Sequence, residues 1–404
     1  MRILIAAPVP REMGGTDTGG IATHAWGLAT TLTGRGHDVT VVAENRPASL
    51  GVREAGGVRI CGVHACPLSV SLLALLDPRL LVALFRTKRR LGPGWKWRWV
   101  VRAVYGYRHA IADFRPDLIH AHALESRFTL ARMTDFRHAP LVGTAHSTHY
   151  TEFAEDGTRN EQRALVERNL VDARHVIFVS EWVAERHEQV YPHKLDHAHT
   201  VVLPNPIDAS EYQPVARDEA RARVGVPEGE TLLLTLGNLI PRKDPLTFVR
   251  AVGLLRDSGV AVRAVMVGEG PEKRSVQDLI AELGQGDVIR LEGHVPQDAI
   301  NYYYSAADVY VFPSLMETWG LAAVEAMLCG CPIVGTFEVM PEVVPDFAGI
   351  YVPSHDPANL ADGLREAIAR DWDRSAIREF ALGYDWKTQI VGFEEFYEQA
   401  LSGR

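Results

Sequence analysis

Short apolar runs recur along the chain, separated by longer stretches in which apolar residues return every three or four positions. The short runs read as strands buried on both faces, and the longer periodic stretches read as amphipathic helices. RILIAAP, HDVTVVAE, VRICGV, DLIHAH, PLVGTAH, HVIFVS and HTVVLPN predict strands before Asn205. A second series starts at TLLLTLGN and continues through VRAVMVGEG, VIRLEGHV, DVYVFPS, PIVGT and GIYVPS. Regular alternation of strand and helix predicts parallel sheets joined by crossovers. The stretch 204–230, rich in Pro, Asp and Glu, separates the two series and is the predicted hinge region. The expected class is therefore α/β, with two Rossmann-like domains of parallel sheet facing a central cleft.

Composition narrows the picture. A chain of 404 residues suits two α/β domains better than one core. A net charge of −9 argues against general nucleic-acid binding, which needs a basic field. The four cysteines form C-x4-C and C-x-C pairs, Cys61 with Cys66 and Cys329 with Cys331, a spacing unlike the common zinc modules. MRILIAAP runs straight into a strand without the apolar core and cleavage site of a signal peptide, so a cytoplasmic location is expected.

Chemistry concentrates where strands end. In SLMETWGLAAVEAMLCGCP, Glu317 falls in the loop leaving the DVYVFPS strand, and Gly320 opens a helix carrying Glu325 in its second turn. Backbone N–H groups at such a helix start suit a diphosphate, and a carboxylate one turn on suits a ribose diol. Glu317 is left to face a sugar beyond the phosphates. In LGNLIPRKDP, Arg242 and Lys243 follow a strand and precede a helix that Asp244 is expected to cap and Pro245 to begin. The guanidinium forks two oxygens whereas the ammonium acts as a point charge, so the pair suits a leaving diphosphate. Gly19 and Gly20, just before the first helix, supply permissive backbone for a phosphate. His120 and His122 in IHAH share a strand face, and His146 ends the next strand. A metal is not expected at the His-x-His pair, for no carboxylate partners are defined. Asp371-Trp-Asp373 is the only D-x-D and lies between helical stretches, so it too is discounted.

Taken in order, these segments resemble the retaining GT-B glycosyltransferases with the E-x7-E signature, the family-4-like group that includes sucrose synthases and bacterial mannosyltransferases. Glu317 and Glu325 carry the signature; DTGGIATHAWGLATTLTGRGHDVTVV, VLPNPID, LGNLIPRKDP, VGEGPE, GHVPQDAI and PEVVPD resemble the family's other landmarks. The resemblance implies an acceptor-binding domain over 1–205, a nucleotide-sugar-binding domain over 206–380 and a final helix, 381–404, crossing back to the first. It implies catalytic roles for His146, Arg242, Lys243 and Glu317, with His146 near the sugar's C6 hydroxyl. Donor contacts are implied for Gly19, Gly20, Asn205, Gly237, His294, Val295, Thr318, Trp319, Gly320, Leu321 and Glu325, the base being read by backbone around His294 and Val295. The implied co-substrate is a UDP- or GDP-sugar with a hydroxyl acceptor, no cofactor and no metal. The acceptor attacks from the leaving-group face, and the departing phosphate helps take its proton. Three departures bear on substrate choice: Pro206 replaces the usual glycine after Asn205, ETWG replaces EGFG, and the glycine pair before Pro341-Glu342 is missing. An epimerase or phosphorylase on the same fold, or a non-catalytic nucleotide-sugar sensor, are the alternatives.

One stretch is particular to this chain. From Pro78 to Arg108 there are nine Lys and Arg residues and no Asp or Glu, with Trp95, Trp97, Trp99, Tyr105 and Tyr107 interleaved. Three readings stay open: a packed or solvated insertion, an acceptor site using Trp95 and Trp99 with His120 and His122, and peripheral contact with the inner membrane face.

Overall fold

The computed structural model describes all residues except 14, 16–19, 44–51, 64–76, 136, 147–156, 196–198, 228, 338–341 and 404. It divides into two units, Met1–Pro206 with Trp386–Arg404, and Ile207–Asp385.

The first unit is built on strands β1 (Arg2–Ala6), β2 (Asp38–Ala43), β3 (Val52–Ala55), β4 (Val58–Gly62), β5 (Leu118–His122), β6 (Leu141–Ala145), β7 (His175–Phe178) and β8 (Thr200–Val202). They form one sheet in the order β3-β4-β2-β1-β5-β6-β7-β8. All pairs are parallel except β3 with β4, an antiparallel hairpin at the edge. The sequence reading missed β3, because VREA places two charged residues together at its centre instead of presenting the apolar run of a central strand. One face is covered by the helices Pro78–Leu91, Trp97–Phe114 and Ser126–Thr134, with Val104, Tyr107, Phe114 and Phe128 in the core. The other is covered by Gly20–Gly34 and Trp386–Ser402, which pack Leu28, Leu32, Phe393 and Tyr397 on Ile3 and Ile5.

The second unit holds β9 (Thr231–Leu236), β10 (Val262–Val267), β11 (Ile289–Gly293), β12 (Val309–Phe312), β13 (Ile333–Thr336) and β14 (Gly349–Val352). Their order is β11-β10-β9-β12-β13-β14, parallel throughout. From β9 the chain winds outward one way through β10, and from β12 it winds the other way through β13. Loops leaving the carboxyl ends of two such neighbouring strands part company, and open α/β sheets bind ligands in the crevice so formed. The first sheet has its own reversal between β1 and β5.

Two boundaries differ from the sequence reading. Most of the predicted hinge is structure of the second unit, since the helix Arg217–Val224 buries Ala220 and Val224 in that unit's core. The final segment joins the first unit at Trp386 rather than at 381. The preceding helix Arg374–Leu382 anchors Ile377 and Ala381 in the second core, whereas Trp386 and Ile390 lie in the first. No helix among the described residues is long and apolar enough to cross a membrane.

Candidate active site

At the β9/β12 reversal two loops meet. The loop after β9 turns through a short 3-10 segment, Pro241–Lys243, and the Leu315 N–H of the loop after β12 donates to the Arg242 carbonyl at 2.9 Å. Arg242 Nη1 reaches Glu317 Oε2 at 2.9 Å and also donates to the Met316 carbonyl at 2.9 Å. Lys243 pairs with the other oxygen of the same carboxylate, its Nζ lying 4.6 Å from the centre of the Phe312 ring. One glutamate thus pairs with two cations and leaves a net positive charge, at a carboxylate only 11% exposed. Backbone approaches closely between the loops after β9 and β10: a Cβ on Gly268 would sit 1.9 Å from the Gly237 carbonyl oxygen, and both glycines have positive φ, at 143° and 149°. Gly237, Asn238, Lys243, Phe312 and Ser314 line a small concavity there, and the buried Ser314 Oγ has no partner among the described residues.

Gly320, at φ 86°, is the N-cap of the helix Leu321–Leu328, a left-handed conformation that favours glycine. One turn on, the half-buried Glu325 accepts from the Tyr304 hydroxyl at 2.8 Å. Burial raises its carboxyl above the usual range, and hydrogen bonds from Tyr304 and Tyr212 pull the other way. Gln297 in turn donates to Tyr212 Oη at 3.1 Å. The two tyrosines, Tyr304 from the helix Gln297–Ala306 and Tyr212 from the segment before Arg217–Val224, hold this carboxylate in one orientation, a network that sequence spacing does not reveal. Asp244 does sit at the N-cap of Pro245–Asp257, but in left-handed geometry and with no side-chain capping bond. Its carboxylate lies 2.8 Å from His355 Nδ1 instead. Trp319, expected at the donor, turns into the core, with its ring 5.3 Å from Tyr384. His294 is exposed after β11, and Val295 packs on the core beside it; Thr318 and Leu321 are half-buried at the loop and helix start. Asp373 caps the helix Arg374–Leu382 through the Ser375 and Ala376 N–H groups, a structural use for the D-x-D.

In the first unit a cavity of about 480 Å³ opens at the β1/β5 reversal, lined among others by Ile21, Trp95, Ala123, Arg127, His146 and Glu161. Ala123 carries φ 138°, a strained value for a residue with a side chain. Behind His146 lies an imidazole cluster. His122 Nδ1 is 2.9 Å from His146 Nε2, and His120 is held by the Tyr397 hydroxyl and Thr144 Oγ1, both at 2.6 Å. His24, from the helix that Gly20 begins, stands 4.9 Å from the His146 ring. Burial lowers all four, His120 and His146 to about 3, so the rings are neutral at pH 7. The sequence reading missed His24; its place four residues after Gly20, on the buried face of the helix, was the available signal.

Of the residues expected at a site, Arg242, Lys243, Gly237, Glu317, Gly320 and Glu325 come together in the second unit. His120, His122 and His146 come together in the first, where Trp95 lines the cavity and Trp99 lies 4.4 Å from it ring to ring. Asn205 is buried at the end of the first unit, its Oδ1 without a partner among the described residues. Gly19 and Pro341 lie outside the described residues. The basic stretch divides. Trp95, Trp99 and Tyr107 pack inward, while Val82, Phe85 and Trp97 face outward, the last two 5.7 Å apart.

Two parallel α/β units, each with side chains gathered at its strand reversal, define a GT-B glycosyltransferase. The chain belongs to the family-4 glycosyltransferases. Residues 18–211 match the family described as Glycosyltransferase Family 4, and residues 216–382 match Glycosyl transferases group 1. A D-inositol 3-phosphate glycosyltransferase of Saccharomonospora viridis is 33% identical over 71% of this chain and 70% of its own. Among solved structures, the sucrose-phosphate synthase of Thermosynechococcus elongatus superposes with TM-score 0.76 at 22% identity over the full length of both chains. HepE of Anabaena, solved in complex with UDP, gives 0.73 at 19%, again covering all of both chains.

Proposed function

We propose that this glycosyltransferase moves a sugar from a nucleoside diphosphate to a hydroxyl acceptor with retention at the anomeric carbon, and needs no divalent metal at the diphosphate. The observation that carries this reading is the meeting of Arg242, Lys243 and Glu317 at the β9/β12 reversal. Two fixed cations supply there the charge that a metal ion supplies elsewhere. As the glycosidic bond breaks, negative charge grows on the diphosphate, and preorganised cations stabilise it without reorganising solvent. Glu325, oriented by Tyr304 and Tyr212, takes the ribose hydroxyls. The cavity of the first unit takes the acceptor, and His146 on its wall contributes a hydrogen bond to the sugar. UDP-sugars are the first donors to try, given the UDP in HepE, and inositol phosphate is the first acceptor, given the name of the relative.

The test is transfer by the purified chain across a panel of nucleoside-diphosphate sugars, with the anomeric configuration of the product read by NMR. Retained configuration and turnover undiminished by EDTA are expected. An inverted product, or activity lost to EDTA and restored by magnesium or manganese, defeats the reading. Donor turnover without any acceptor would favour the epimerase instead.

The ion pairs give a sharper expectation. Glu317 pairs with the cations that a diphosphate must use, so it competes with the ligand. Glu317→Gln should therefore tighten nucleoside-diphosphate binding about tenfold, worth roughly 1.4 kcal/mol, while slowing transfer. Calorimetric titration showing weaker diphosphate binding in this variant would mean that the carboxylate serves the ligand instead of displacing it. Trp95→Ala, by contrast, should raise the acceptor KM about tenfold, because a large apolar wall is lost, and leave nucleotide affinity unchanged. A normal acceptor KM would remove Trp95 from that pocket.

A further inference from the structure

His24, His122 and His146 arrive from three separate elements, and one ring nitrogen of each lies within 4.8 Å of the others. His122 Nδ1 and His146 Nε2 lie 2.9 Å apart. Zinc–nitrogen bonds of about 2.0 to 2.1 Å in a tetrahedral site put ligand nitrogens about 3.3 Å from one another, so small ring rotations would complete the set. All three rings are buried, and both nitrogens of His24 and Nε2 of His122 have no hydrogen-bond partner among the described residues. A neutral imidazole carries one N–H and one lone pair, so His24 buries an unmet donor and an unmet acceptor together. Such a ring is waiting for a ligand.

The donor set selects the ligand. Among the described residues the cluster offers imidazole nitrogen alone, without the oxygen donors that magnesium and calcium require. Three neutral imidazoles suit zinc and the neighbouring ions of the first transition row. Trp386 and Phe393 wall the far side of His24, with ring centres at 5.2 and 6.1 Å, whereas His146 opens on the cavity. Water or an exogenous ligand therefore has a route to a fourth coordination position.

We propose that His24, His122 and His146 form a binding site for a zinc-class divalent ion, apart from the diphosphate grip of the second unit, and that filling it withdraws the His146 ring from transfer. The second clause rests on the role proposed for His146; the first does not. The ion here is an inhibitor and not a cofactor, so this site is compatible with the metal-independent transfer proposed above.

Equilibrium dialysis of the untagged, metal-stripped full chain against Co2+ and Zn2+, with neither donor nor acceptor present, tests the site independently of any sugar chemistry. One equivalent per chain should be retained, with Co2+ giving the intense visible bands of four-coordinate nitrogen ligation. His24→Gln and His146→Gln should each weaken binding at least about 100-fold, circular dichroism reporting that both remain folded. His187→Gln, which alters a buried histidine already bonded to the Val183 carbonyl at 2.8 Å, should leave it intact. No retained ion in the wild-type chain, or retention undiminished in both cluster variants, overturns the site. In the transfer assay, zinc at the binding stoichiometry should lower turnover and a chelator should restore it; full turnover with the site filled overturns the inhibitory half.

Discussion

Arg242→Ala and Lys243→Ala should each lower turnover by about two orders of magnitude, close to 3 kcal/mol of lost transition-state stabilisation. The magnitude follows from geometry. Both cations converge on one small volume at the strand reversal, and Lys243 is held there between the Glu317 carboxylate and the Phe312 ring. A group fixed before the reaction needs no reordering when charge develops, so its loss is felt mainly in kcat. The two variants should differ in kind. Arg242 also ties the two loops together through the Met316 carbonyl, so its removal should loosen diphosphate binding more than removal of Lys243 does. Steady-state kinetics on each variant, with circular dichroism to report folding, decides the matter. Near-normal kcat in both would take the pair out of the chemistry.

The second large effect is on stability. Phe393→Ala should cost about 3 to 5 kcal/mol, since a fully buried phenylalanine is replaced by a cavity that a packed core does not collapse to fill. Phe393 lies in the core shared by Ile3, Ile5, Leu28 and Tyr397, so the damage should fall on the first unit, far away in sequence. Thermal melts should show a clear drop, and limited proteolysis should open Met1–Pro206 before Ile207–Asp385. Unchanged melting would show that the last helix packs elsewhere.

The strands of the second unit were legible because each is an apolar run bounded by polar or glycine-rich segments, and a fully parallel sheet buries both faces. Arg242, Lys243, Glu317 and Glu325 were legible for a related reason, each following a recognisable strand at short range. What was hidden depends on packing between distant segments. VREA pairs as an edge hairpin, so half its side chains are polar and its periodicity carries little weight. Trp319 stands next to Gly320 in a loop of chemical residues, yet Tyr384, from the end of the unit, draws its ring into the core. Asp244 precedes Pro245 as a capping residue should, but His355 offers its carboxylate a closer partner than the helix backbone does. His24 reads as one more residue of an amphipathic helix. Only the strand order, with β1 beside β5 and β5 beside β6, brings its helix against His122 and His146.

The helix Trp386–Ser402 closes one face of the first sheet, with Ile390, Phe393 and Tyr397 fully buried. Synthesis runs from the amino end, so the strands of the first unit emerge long before the helix that covers them. The second unit is continuous and holds all its own core residues by Asp385. The half of the protein made later is therefore completed first. The half made earlier waits with the part of its apolar sheet face beside the helix Gly20–Gly34 uncovered until that last helix is made, the interval in which a chaperone has most to protect.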